Sequence, residues 1–160
     1  MKIRSAAAAA LFLIAAAGAA LAQAPKATSP DLALGVFLGE PTGITVRWGL
    51  AKDQSLEGKA AWSFVNSSNQ SASFTFQANY LMEFPGVLVI KKEDFPLYVG
   101  FGGETHLGSS TSFGLRIPGG VIYRFAKVPI ELCLELAVGM ELFPATTLVG
   151  SGGLGIRYRF

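Results

Sequence analysis

From position 32 to the last residue the chain alternates apolar and polar positions with a period of two and hardly departs from it. Such alternation puts one set of side chains on one face of a strand and the remainder on the other. The closing stretch is the clearest, with Leu154, Ile156, Tyr158 and Phe160 interleaved with Gly155, Arg157 and Arg159. The same pattern predicts earlier strands over 32–39, 44–50, 56–65, 71–84, 96–106, 113–125 and 130–141, and a final one over about 148–160. A helix needs a period of 3.6, and even the long run at 130–141 holds to two. Glu40-Pro41-Thr42-Gly43 reads as a tight turn, 66–70 and 107–112 as polar loops, and 85–95 as the longest connection, with the charged cluster Lys91, Lys92, Glu93 and Asp94. Pro118 and Gly119-Gly120 interrupt the sixth strand, where a missing N–H predicts a bulge or kink. Eight strands is an even number, so the chain can close up-and-down.

The charges decide which face is which. Twelve of them fall on the polar faces of the strands: Arg47, Lys59, Arg116, Arg124, Arg157 and Arg159, against Glu57, Glu83, Glu104, Glu131, Glu135 and Glu141. The other charges of the mature chain lie in turns or before the first strand, and the apolar faces carry none. Two barrels use this alternation. One sits in lipid with its charges inside; the other is a soluble, lipocalin-like carrier with a greasy interior. The polar faces are rich in glycine, which suits a narrow lumen. The apolar faces are too bulky to fill an eight-stranded interior. Trp48, Phe84, Phe125 and Phe160 close the even-numbered strands, as an interfacial girdle does. The expected fold is therefore all-β, an eight-stranded antiparallel up-and-down transmembrane β-barrel, and its expected location is the bacterial outer membrane.

The N-terminus fits that location. Lys2 and Arg4 precede an apolar Ala-rich run over 6–20, and Ala20-Leu21-Ala22 offers a small-x-small cleavage site. The expected organisation is a cleaved signal peptide at 1–22, a flexible lead-in at 23–31 and the barrel at 32–160. Removing Lys2 and Arg4 from 13 basic residues leaves 11, against 11 acidic ones. A neutral chain argues against nucleic acid as a partner. Cys133 is the one cysteine, so no internal disulfide is available.

Equal numbers of inward acids and bases predict an ion-paired interior, because buried charges persist only when paired and hydrogen-bonded. With eight strands that interior is filled by side chains, and an open pore is not expected. A narrow ion channel is the alternative. His106 is the single histidine, in phase with Glu104 and near Ser109, Ser110 and Ser112, which are the parts of a nucleophilic hydrolase. Their spacing matches no catalytic pattern, and a rim histidine paired with Glu104 is the simpler reading, so no catalytic residue is assigned. Neither a Cys/His cluster nor a Gly-rich phosphate loop is present, and neither a metal nor a cofactor is expected.

Gly39-Glu40-Pro41-Thr42-Gly43, Arg47-Trp48, Pro96-Leu97-Tyr98-Val99-Gly100, Leu115-Arg116-Ile117-Pro118-Gly119-Gly120 and the closing Gly153 to Phe160 stretch together resemble a family of small, uncharacterised bacterial outer-membrane β-barrel proteins. In architecture the chain is also similar to the OmpA/OmpX barrels. The resemblance implies fold and location, with outer-membrane lipid as the surroundings. It also implies that Ile156, Tyr158 and Phe160 form the C-terminal signal read by the barrel-assembly machinery during insertion. It supplies no catalytic residue and no further protein partner. The function expected is that of a structural barrel contributing to envelope integrity or surface interaction. A membrane-embedded lipid-modifying hydrolase, a narrow channel and a soluble periplasmic carrier are the alternatives.

Overall fold

The computed structural model describes residues 31–63, 73–108 and 111–160. Its strands are β1 (Leu32–Glu40), β2 (Thr42–Ala51), β3 (Gln54–Ser63), β4 (Ser73–Phe84), β5 (Val89–Ile90), β6 (Glu93–Asp94), β7 (Leu97–Leu107), β8 (Ser112–Arg124), β9 (Ile130–Phe143) and β10 (Thr147–Arg159). Eight of them close into one antiparallel barrel in the order β1-β10-β9-β8-β7-β4-β3-β2, while β5 and β6 pair with each other outside it. Every neighbour in the ring is also a neighbour in sequence among the barrel strands, except at the seam where β1 meets β10. The strands expected from the alternation are all present, with ends moved by a few residues; positions 64, 65, 71 and 72 lie outside the described residues.

The register fixes the shape of the barrel. A circuit leaving Ala33 passes through Arg47, Glu57, Asn79, Gly102, Arg116 and Gly139 and arrives on β10 at Val149. Ala33's own partner on β10 is Arg159, ten residues further along. A stagger of ten on eight strands tilts them by about 43° to the axis and gives a Cα cylinder about 16 Å across. Along β4, Phe74 and Phe84 are ten residues apart, so they are separated by about 24 Å along the axis at this tilt.

The bulge expected at Pro118 is not there. β8 keeps step with β9 through Ile117↔Val138, Pro118↔Ala137 and Gly119↔Leu136, and its register shift falls instead between Phe113 and Gly114. On its other side β8 holds one register with β7 from Leu97↔Val121 to His106↔Ser112, but Gly100 and Phe101 make no pair with Pro118 and Ile117. The ladder has lost a rung there while its register is kept on both sides of the gap. The proline ring is fully buried, in the inward phase of β8.

Up-and-down winding gathers the turn at Lys52 and Asp53, the 85–96 connection and the 125–129 connection at the end where the barrel starts and finishes. There the Phe160 N–H donates to the Leu32 carbonyl at 2.8 Å. The 85–96 connection is not an irregular loop. β5 and β6 form a hairpin joined by Lys91 and Lys92, both at positive φ (52° and 72°). Two left-handed residues are what a two-residue hairpin turn requires. The Phe95 N–H adds a rung to the Leu88 carbonyl at 2.8 Å, and the Gly86 N–H donates to Asp94 Oδ1 at 2.9 Å.

Candidate functional site: the ion-paired interior

Closure sends the two phases of each strand to opposite sides of the wall. The outward phase carries most of the leucines, valines, isoleucines and aromatics, and many are well exposed; Leu136, for one, is 74% exposed. Among the described residues Glu40, at the far end of β1, is the one charge in that phase. Aromatics ring both ends. Trp48, Phe84, Tyr158 and Phe160 lie toward the end with the termini, where Tyr158 meets Phe160 edge-on at 5.0 Å. At the other end Trp62 stands across from Phe74, and Phe113 across from Phe143. Of the first ring, Trp48, Phe84 and Phe160 are expected from the strand ends, together with Phe125; Tyr158 and the second ring do not close even-numbered strands and are not.

The inward phase is charged and for the most part buried. Arg124 Nη2 donates to Glu83 at 2.7 Å, and Arg47 bridges Glu83 (2.6 Å) and Glu131 (2.8 Å). Arg157 bridges Glu131 (2.9 Å) and Glu57 (2.5 Å), and Lys59 bridges Glu57 (3.2 Å) and Glu135 (2.5 Å). Arg116 then joins Glu135 at 3.0 Å and approaches Glu104 at 3.9 Å. Bases and acids thus alternate strictly along one connected chain, from Arg124 to Glu104. A further contact, Arg124 Nε to Glu131 at 3.1 Å, closes its first four members into a ring. The ten residues come from every barrel strand except β1. That strand supplies small residues and Phe37, whose ring lies 4.1 Å below Lys59 Nζ.

Uncharged partners complete the carboxylates. Asn79 Nδ2 donates to Glu57 at 3.2 Å, the Tyr98 hydroxyl to Glu135 at 2.9 Å, and Gln77 Nε2 to Glu104 at 3.3 Å, while Gln77 Oε1 accepts from Arg116. A buried carboxylate with several donors is stable where an isolated one is not. These partners are contributions that a count of charges does not find, although each sits in the inward phase. Two of the expected members stand apart from the chain. Glu141 accepts from Ser112 Oγ at 2.8 Å, and Arg159 makes no ion pair among the described residues.

Set within the charged zone, on neighbouring strands β4, β7, β8 and β9, is a small apolar cluster of Leu81, Tyr98, Ile122 and Cys133, with Glu83, Arg124 and Glu131 on its side toward the termini. Glycines opposite these residues make the room. A Cβ at Gly155 would collide with Cys133 Sγ, and one at Gly120 would stand 2.8 Å from the Tyr98 hydroxyl. At the opposite end His106 Nδ1 pairs with Thr75 Oγ1 at 2.8 Å, while its Nε2 is 3.9 Å from Glu104. The hydroxyl beside the histidine is therefore that of buried Thr75, and Ser112 is turned to Glu141. Ser109 and Ser110 lie outside the described residues. No three His, Cys, Asp or Glu side chains among the described residues are placed to hold a metal ion.

The geometry defines a class: a closed, eight-stranded antiparallel barrel with an ion-paired, filled interior and an apolar outer wall. Comparison of the chain with protein-family models, with curated proteins and with solved structures finds no match. The class rests on the fold alone.

Proposed function

We propose that the protein is a structural barrel of the bacterial outer membrane, held rigid by its interior ion pairs and contributing to envelope integrity or surface interaction. The observation that carries this reading is the division of the wall: charge inside and for the most part paired, bulky apolar side chains outside. A single charge in the outward phase at mid-depth costs roughly 2–4 kcal/mol in lipid, and none is found there. The apolar span of about 24 Å between Phe74 and Phe84 matches the band of about 25 Å that transmembrane barrels present to the bilayer. Aromatics at both ends of that span fit the two interfaces. In water the same wall would be one continuous apolar surface, far beyond what a monomer exposes. On this reading the surroundings are outer-membrane lipid, and Ile156, Tyr158 and Phe160 present the closing strand to the barrel-assembly machinery.

Fractionation combined with electrophoresis of boiled and unboiled samples tests the proposal. Recovery in the outer membrane with a heat-dependent mobility shift is expected; recovery as a soluble periplasmic protein would refute it. The filled interior also leads to an expectation of no conductance in planar bilayers. Steady single-channel steps from folded protein would replace the structural reading with that of a channel.

A further inference from the structure

At the end away from the termini the barrel wall is uneven beside the seam. β1 stops at Glu40, whose partner on β10 is Gly152, and the chain turns at Pro41 into β2. β10 begins higher, at Thr147, and pairs with β9 throughout, from Thr147↔Glu141 to Ser151↔Ala137 and on down the strand. Thr147 to Ser151 therefore have a strand on one side and, among the described residues, none on the other.

The ladder below fixes where the backbone of this stretch points. The Phe160 N–H donates to Leu32, on the β1 side, and the Arg159 N–H donates to Pro129, on the β9 side. Backbone groups alternate sides along a strand, so even-numbered residues of β10 face β1 and odd-numbered ones face β9. Above Gly152 the even positions are Gly150 and Leu148. Their two N–H and two C=O groups point across the missing end of β1, and no strand among the described residues meets them. Neither charge nor proline blunts this edge, which reads Thr-Leu-Val-Gly-Ser, and Leu148 is 82% exposed.

Depth and symmetry limit what can cover it. Gly150 lies eight residues above Tyr158 on β10, about 20 Å along the axis at the tilt of the strands. That places it inside the apolar span, with Leu148 at the upper limit. Lipid tails offer an open edge neither donor nor acceptor. A second copy in the same membrane does not fit. A twofold axis along the membrane normal keeps both β10 strands running toward the same side, and their tilts of about 43° in opposite senses make them cross at about 86°. Paired strands differ in direction by only about 20–25°.

We infer that the free edge of β10 is a strand-addition site, where an extended segment of another polypeptide pairs with Leu148 and Gly150 and continues the line of β1. The segment runs antiparallel to β10. Its residues beside Leu148 and Gly150 face outward and are apolar. Those beside Val149 and Ser151 share the inward phase of Gly39, Gly43 and Ala61 and are small and uncharged. This gives the surface interaction proposed above a class of partner, and it rests on the membrane reading.

The test is residue-resolved amide hydrogen exchange, by NMR, of full-length protein in nanodiscs. The probe is a synthetic peptide, Leu-Ala-Val-Gly-Met, copied from 136–140, which alternates in the required way. In the protein alone, the Leu148 and Gly150 amides are expected to exchange much faster than those of Val149 and Ser151. Peptide filling about nine-tenths of the sites should slow Leu148 and Gly150 about tenfold, since exchange then proceeds from the free tenth. The same peptide N-methylated at alternate residues should give no protection. Equal protection of all four amides without peptide overturns the inference, because the chain then covers its own edge. Protection that rises with the ratio of protein to lipid overturns it in favour of a second copy. Fast edge amides that the peptide leaves unchanged also overturn it, as does equal protection by the N-methylated peptide. Each of these outcomes leaves the membrane reading intact. If the chain neither enters nanodiscs nor shows heat-modifiable mobility, both readings fall together.

Discussion

Glu131 is the sharpest place to test whether the interior chain of ion pairs holds the barrel. Its side chain is 0% exposed and takes charge-assisted hydrogen bonds from three arginines, Arg47 at 2.8 Å, Arg124 at 3.1 Å and Arg157 at 2.9 Å. Glu131→Gln keeps the volume and removes the charge, leaving three guanidiniums around a neutral amide. Arg47 and Arg124 retain Glu83, and Arg157 retains Glu57. The three partners are thus weakened without being stranded. Breaking one buried pair typically destabilises by about 3–5 kcal/mol, and the retained partners argue for the lower half of that range. Urea unfolding of the barrel in detergent, followed by gel mobility, should then show a midpoint lowered by about 1.5–2 M for a slope near 2 kcal/mol/M. Glu141→Gln is the control. It sits in the same phase with one hydrogen bond, from Ser112, and partial exposure, so about 1 kcal/mol or less is expected. If the two variants unfold at the same urea concentration, the chain of pairs does not carry the stability assigned to it.

Three further outcomes are expected. Gly155→Ala should destabilise by about 1–3 kcal/mol through overpacking against Cys133, and adding Cys133→Ala should recover most of the loss in the same unfolding experiment. Leu136→Arg, on the outward phase, should lower stability by about 2–4 kcal/mol if that wall faces lipid; a shift within about 0.5 kcal/mol, ordinary for a solvated surface, would count against the membrane reading. Phe160→Ala removes the edge-on partner of Tyr158 and, on the assembly reading, should reduce the heat-modifiable fraction in outer membranes while refolding from urea into detergent proceeds normally. Refolding and assembly that fail together would make the residue structural and not a signal.

The two faces of every barrel strand were readable from the sequence because a period of two is local: each residue's side follows from its neighbour's. Who pairs with whom was not. Arg157 and Glu57 are 100 residues apart in the chain, and Arg47 and Glu131 are 84 apart. Their meeting depends on a stagger of ten, and the alternation of residues does not encode a stagger. The same blindness explains Arg159 and Glu141, which share the inward phase but stand outside the connected chain. Pro118 misled for a different reason. A proline in a closed sheet must lose a hydrogen bond, but the ladder can drop that rung and keep its register. The Lys91-Lys92 turn was hidden by residue type, since lysine gives no signal for positive φ.

The seam between β1 and β10 sets the order in which the molecule can be finished. Seven of the eight ladders join strands that follow one another along the chain, so each can form as soon as its second strand is available. The eighth joins Ala33 to Arg159, 126 residues apart. Until that ladder zips, the protein is an open sheet with two raw edges, each able to pair with another chain. Closure is therefore the step at which folding competes with aggregation, and a chaperone that covers the exposed edge of β1 until β10 arrives would protect the barrel through its most vulnerable interval.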